Sequence, residues 1–136
     1  MKRNSRLALA FHSLSHMAGD PERFWTSFEI AEHAHTNPVV VRRVLSRLTK
    51  AGLLTGRKGH AGGWQLAVSP EKISLADIYL ALEESVIAAD EDAGEHGCPL
   101  ESALQHKVNG VLRDIEDALV KRLSETSIAE IQHHEH

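Results

Sequence analysis

The segment Asn37–Gly52 limits the possible folds of this chain more than any other part of the sequence. Asn37 and Pro38 are residue types that favour the N-cap and the first position of a helix, and Gly52 is typical of a helix C-terminus. We therefore predict a helix over 38–51. Its apolar residues recur at i, i+3, i+4 and i+7, which places them on one core-facing side: Val41, Val44, Leu45 and Leu48.

The opposite face of this predicted helix is basic. Between Arg42 and Lys58 there are six basic residues and no acidic one. Residues 1–72 hold 11 Lys/Arg and 5 Asp/Glu, a net +6, whereas residues 73–136 hold 4 and 14, a net −10. A solvated surface is one interpretation of such a basic face, and contact with a polyanion is the other. The residues on this face are Val39, Arg42, Arg43, Ser46, Arg47 and Lys50.

The neighbouring segments predict two more helices and a hairpin. Apolar spacing indicates a helix over 4–18, and Thr26 with Glu29 has the form of a capping box for a helix over about 27–34. Residues 53–55 and 64–68 have the composition of short strands. Helix, turn, basic helix and hairpin follow the order of a winged helix-turn-helix, in which the basic helix enters the DNA major groove.

The connection between the two strands, GRKGHAGGWQ, would form the tip of the wing. Its glycines allow tight turns and a close approach of the backbone to phosphates. Arg57 and Lys58 supply positive charge, and Trp64 would anchor the hairpin by burying its ring. A plain glycine-rich loop beside a core tryptophan is the alternative interpretation.

The second half of the chain predicts further helices around an acidic loop. Ser74 with Asp77 has the form of a capping box before a fourth helix, and 88–97 is acidic and rich in turn residues. Ser127 with Glu130 repeats the capping pattern before a last short helix.

A long helix is predicted from Pro99 to about residue 123. At 1.5 Å per residue it would measure roughly 37 Å, which is longer than a small winged domain can cover. A two-fold partner helix would bury its apolar face economically, so we expect a homodimer.

These elements predict a mainly α fold with a small β-hairpin wing: a winged helix-turn-helix DNA-binding domain over 1–72, followed by a linker helix, an acidic loop and dimerisation helices over 73–136. No apolar run approaches the roughly 18 residues of a membrane span, and the N-terminus lacks an export signal. A single cysteine excludes an intramolecular disulfide framework, which favours a cytoplasmic location.

Two stretches, NPVVVRRVLSRLTKAGLL and GRKGHAGGWQLAVSPEKISLADIYLALE, resemble the bacterial Rrf2 (IscR/NsrR-like) family of winged-helix transcription regulators, in the form closest to its cluster-free branch. The likeness extends to SETSIAEI near the C-terminus. It implies a homodimer that binds a pseudo-palindromic operator in double-stranded DNA and usually represses, with the long helix at the dimer interface. Family members usually carry Arg and Tyr where this wing has Lys58 and Trp64. Lysine lacks the guanidinium fork, which Arg57 could replace.

The candidate DNA contacts divide by chemistry. Arginine binds guanine with two hydrogen bonds and valine contacts a thymine methyl, so we assign Val39, Arg42 and Arg43 to base edges. Asn37 would cap the helix or reach DNA, and Ser46 lies on the same face. The phosphate or minor-groove candidates are Arg47, Lys50, Arg57, Lys58 and His60.

Cys98 is the candidate for a regulatory signal. Cluster-binding relatives carry three cysteines in this region, and Cys98 matches the last, so an iron–sulfur cluster is not expected and no cofactor is predicted. A metal site is not predicted either, although His12, His96 and Cys98 are conceivable ligands. A helix N-terminus stabilises a thiolate, whereas the acidic residues of 88–97 disfavour one. The sequence does not decide between thiol oxidation, a small-molecule effector, a metal and a plain cap residue without signalling.

Two other classes of function are weighed against a DNA-binding repressor. A winged-helix module for protein interaction without specific DNA binding is the alternative, and the acidic half would permit it. An enzyme is not expected, because the sequence has no phosphate-binding glycine loop, no HExxH and no nucleophile beside a convincing base.

Overall fold

A computed structural model describes residues 6–59, 62–82 and 99–134, without the side chains of 132–134. These residues form a mainly helical fold with a two-stranded antiparallel hairpin, as predicted. None of the described helices combines the length and the apolar character of a membrane span. The elements in chain order are α1 (Arg6–Ala18), α2 (Ser27–Ala34), α3 (Pro38–Lys50), β1 (Leu54–Arg57), β2 (Gly63–Leu66), a 3-10 turn (Pro70–Lys72), α4 (Leu75–Ala81), α5 (Pro99–Leu123) and α6 (Ile128–His134).

Local hydrogen bonds set the beginnings of the helices, as the capping patterns predict. Thr26 Oγ1 accepts a hydrogen bond from Glu29 N at 3.1 Å, and the Glu29 carboxylate accepts one from Thr26 N at 3.2 Å. The predicted pairs before α4 and α6 make the same reciprocal bonds. Asn37 Oδ1 accepts from Val39 N at 2.7 Å at the start of α3. Each such cap typically contributes about 1 kcal/mol.

The apolar stripe of α3 is the centre of the core. The predicted residues Val41, Val44, Leu45 and Leu48 are all at most 1% exposed. They pack in one buried cluster with Leu14 of α1 and Ile30 of α2. Burial of a side chain of this size contributes roughly 1.5–3 kcal/mol, so this stripe fixes α3 with its other face outward.

The C-terminal elements pack into the same core. Ile73 and Ile128 are fully buried members of the cluster. Their backbones are joined directly, because Ile128 N donates to Ile73 O at 2.8 Å, and Leu75 N donates to Thr126 O at 2.9 Å. The division of the chain at residue 72 stays a prediction, and the shared buried cluster, which includes Leu14 as well as Ile73 and Ile128, spans both sides of it.

The hairpin is longer at its tip than predicted and shorter at its far end. β1 continues through Arg57, which pairs with Gly63, whereas β2 ends at Leu66. The predicted strand bounds of 53–55 and 64–68 are therefore wrong. Arg57 lies in a strand and not in the connection, because the backbone ladder continues to Gly63, whose φ is +145°.

Trp25 attaches the hairpin to the body of the domain. The backbone N–H of Trp25 donates to the backbone carbonyl of Trp64, and the backbone carbonyl of Trp25 accepts from the backbone N–H of Trp64, both at 2.8 Å. The Trp25 ring is buried, and Trp64 is partly buried against the core, as its predicted anchoring role requires. A Cβ on Gly63 would lie 2.4 Å from Trp25 O. The glycine at 63 is thus required by this close backbone approach.

The predicted long helix is confirmed as α5, which has 25 residues and no buried side chain. It contacts α4, where Tyr79 Oη donates to Glu116 Oε1 at 3.0 Å. One side of α5 carries a row of large apolar residues that are 47–79% exposed in a single chain: Leu100, Leu104, Val108, Val111 and Ile115.

Candidate nucleic-acid interface

The outward face of α3 forms one side of an open depression of about 580 Å³. Four arginines surround it, three from α3 and one from the start of α1. Val39 adds an apolar side chain that is 46% exposed. The lining residues are Arg6, Val39, Arg42, Arg43, Ser46 and Arg47. The structure therefore brings together five of the residues that the sequence assigns to DNA contact; Lys50, also exposed, lies farther along α3.

Two of these arginines also contact neighbouring helices. Arg42 Nη1 donates to Ser27 Oγ of α2 at 3.4 Å. Arg47 Nη1 donates to Leu82 O, directly after α4, at 2.7 Å. Arg47 is half-buried for this reason, although the helical spacing predicts an exposed side chain. These two contacts connect α3 to α2 and to the end of α4.

The α3 face keeps its positive charge. In the part of the chain that the structure describes, no carboxylate forms an ion pair with a basic residue of α3. The ion pair among the described residues joins Arg23 and Glu29, which lie outside α3. The depression is thus a cationic surface that faces solvent, which favours a polyanion as its partner.

The Arg23–Glu29 pair instead stabilises the start of α2. Burial raises the pKa of Glu29, but hydrogen bonds from the Thr26 backbone and hydroxyl, together with the charge of Arg23, hold that pKa below its ordinary value. Arg23 also lies over the Trp25 ring, 3.9 Å from its centroid. This group therefore connects the cap of α2 to the tryptophan that attaches the hairpin.

On the wing, Arg57 is held by an aromatic ring. Its guanidinium carbon lies 4.2 Å from the ring centroid of Phe24, a cation–π distance. Lys58 is exposed beside it, and His60 lies outside the described residues. Sequence reasoning missed Phe24, which lies just before the α2 cap and 33 positions before Arg57 in the chain. No local sequence pattern indicates a contact between residues so far apart in the chain.

Arg6 is the other residue that sequence reasoning missed. It is the first residue of α1, and the first turn of that helix has no acidic residue. A cation at a helix N-terminus opposes the helix dipole and costs roughly 0.3–1 kcal/mol. A basic residue in that unfavourable position is a signal that the sequence does contain.

The proposed metal and redox residues are only partly described. Cys98 and His96 lie outside the described residues. His12 is exposed on α1, with its ring centroid 5.1 Å from that of His16, which in turn lies 4.2 Å from that of His33. Among the residues that the structure describes, no three His, Cys, Asp or Glu side chains form a possible metal site.

Comparison with known proteins identifies the family. The model of the Rrf2 family, described as an iron-dependent transcriptional regulator, matches residues 3–134. YwnA of Bacillus subtilis, named as an HTH-type transcriptional regulator, is 37% identical over 134 residues, which cover 96% of this chain and 97% of YwnA. A crystal structure described as that of a DNA-binding protein is 33% identical, with a TM-score of 0.74 over 93% of this chain and 98% of that one.

A more distant structure shows the shared fold. CymR, the global cysteine regulator of Bacillus subtilis, has a TM-score of 0.68 at 20% identity over 98% of both chains. The similar proteins are regulators and not enzymes, which confirms the expectation drawn from the sequence. Because the family model spans almost the whole chain and YwnA matches at nearly full length, this chain belongs to the Rrf2 family of transcriptional regulators.

Proposed function

We propose that the protein is a sequence-specific DNA-binding regulator that acts as a homodimeric repressor on a pseudo-palindromic operator. The observation that carries this proposal is the outward face of α3, where arginines line a solvent-facing depression and no described carboxylate pairs with them. Such a face suits the phosphates and guanine edges of double-stranded DNA. The regulator would act in the bacterial cytoplasm, where the chromosome lies.

The positions of the side chains support a division of roles. Val39, Arg42 and Arg43 are exposed on one side of α3, so we propose that they contact base edges. The side-chain oxygen of Asn37 is engaged in the helix cap, which favours a structural role for this residue. The proposed phosphate or minor-groove contacts are Arg47, Lys50, Arg57, Lys58 and His60, with Ser46 on the same surface as the base-reading residues.

The exposed row on α5 supports the homodimer. Its five large apolar side chains are 47–79% exposed in one chain, which is unusual for a soluble helix. A second α5 related by a two-fold axis would cover the row with the same residues, so that one surface serves both partners. Pairing of this kind would also set the distance between two α3 helices and hence the spacing of the operator half-sites.

A signal at or near Cys98 would modulate DNA affinity in this proposal. Cys98 directly precedes Pro99, the first residue of α5. Oxidation of the thiol or binding of a small ligand there would act on the helix that joins the two subunits. If a Cys98→Ser variant keeps peroxide-dependent release from DNA, thiol sensing is wrong.

Selection of DNA sites from a randomised duplex pool tests the proposed function. We expect one pseudo-palindromic consensus, bound at physiological salt at least about 10³-fold more tightly than a scrambled duplex. Equal affinity for both duplexes would contradict sequence-specific recognition. If the protein binds random duplex neither at low salt nor at high salt, the alternative is favoured, which is a protein-interaction module with a winged-helix fold.

A further inference from the structure

The depression beside α3 is not made by α3 alone. Arg6, at the first position of α1, lines it together with Arg42, Arg43 and Arg47. α1 and α3 contact each other, and their buried residues, Leu14 and Leu45 among them, belong to one core cluster. The place of Arg6 beside the basic face is therefore fixed by the core.

The charge at Arg6 has no evident role in the stability of α1. The N-terminus of a helix carries a partial positive charge, and the first turn of α1 contains no acidic residue to compensate a cation there. Arg6 is exposed, so burial does not explain it either. Its guanidinium instead adds to the same positive potential that the three α3 arginines produce in the depression.

We propose that Arg6 binds a backbone phosphate next to the DNA groove that receives α3, and that the DNA-binding surface thus extends onto α1. This inference rests on the proposed function. Phosphates border the groove into which a recognition helix inserts, and a guanidinium binds a phosphate with two parallel hydrogen bonds. A contact from α1 would help to orient α3 in the groove, because the two helices share one core.

The experiment compares Arg6→Gln with the wild type on a random-sequence duplex over a range of salt concentrations. One lost phosphate contact lowers the slope of log K against log [salt] by about 0.9, so a dimer should lose about 1.8. We expect the ratio of affinities for the selected operator and a scrambled duplex to stay unchanged, because a phosphate contact carries no sequence information. Arg6→Lys should keep most of the slope, since it keeps the charge.

Lys72→Gln is the matched control, because it removes one exposed positive charge that does not line the depression. The inference is overturned if Arg6→Gln changes the slope no more than Lys72→Gln does. A wild-type protein without preference for any duplex would refute the proposed function instead, whatever Arg6 does. Thermal unfolding of Arg6→Gln should be unchanged or shifted upward, which separates loss of binding from loss of folding.

Discussion

Gly63→Ala tests how the wing is attached to the domain. A Cβ at this position would lie 2.4 Å from Trp25 O and 2.8 Å from Trp25 C, on backbone with a φ of +145°. The backbone must shift, and the shift breaks the two 2.8 Å hydrogen bonds between Trp25 and Trp64. Strained backbone costs about 1–3 kcal/mol, and two lost hydrogen bonds cost about 1 kcal/mol each. We expect the free energy of unfolding to fall by about 3–5 kcal/mol.

Two other glycines provide controls for this substitution. Gly52 has a φ of +85° but nothing within 4 Å of an added Cβ, so Gly52→Ala should cost only the left-handed strain, about 1–2 kcal/mol. Gly110 lies within α5 with open space around it, so Gly110→Ala should stabilise the helix by about 0.5–1 kcal/mol. Urea unfolding at one fixed protein concentration measures all three variants. Equal losses for the variants at 63 and 52 would refute the account of the Trp25–Trp64 attachment.

Three further predictions concern DNA binding, assembly and pH. Arg42→Ala should weaken binding to the selected operator by about 1–3 kcal/mol, roughly 5- to 150-fold, and relax the base preference at one operator position. Lys58→Ala should instead weaken binding to all duplexes and flatten the salt dependence of binding. An equal loss of sequence specificity in both variants would contradict these roles. Ile115→Glu should convert the dimer to monomer in analytical ultracentrifugation, while Arg113→Glu on another side of α5 leaves it intact; a dimer that survives Ile115→Glu would contradict pairing through this row. The pKa of Glu29 is lowered in the folded protein, so the stability that Glu29→Gln removes should be present above the ordinary pKa of a glutamate and should vanish as the pH falls through the lowered folded-state pKa. A difference in unfolding free energy that persists at the lowest pH would argue against the charged cap.

Much of the fold could be predicted because local signals determine it. The capping residues Thr26, Asn37, Ser74 and Ser127 lie directly before the helices that they cap in the structure. The apolar stripe of α3 also follows from spacing alone, since the helical period fixes which residues share a face. These features depend on residues within a few positions of one another, which a single sequence displays.

Contacts between distant segments could not be predicted in this way. The backbone pairing of Trp25 with Trp64 and the Arg57–Phe24 stacking both join the α1–α2 connection to the hairpin. The bond from Arg47 to Leu82 O likewise depends on how α4 packs. Each contact is set by the three-dimensional arrangement of elements and leaves no periodic trace in the chain. The position of Arg6 beside the α3 face likewise depends on the packing of α1 against α3, although the sequence does show a cation near the start of a helix.

The central claim is that the arginine-rich face of α3 reads DNA. Its most direct test is an NMR titration of the isotope-labelled protein with the selected operator duplex, which follows the side-chain Nε–Hε signals of Arg42 and Arg43 and the backbone amides of the whole chain. We predict that both arginine signals and the amides of 39–50 shift in proportion to bound DNA. Shifts confined to α5 and α6, with both arginine signals unchanged, would contradict the claim.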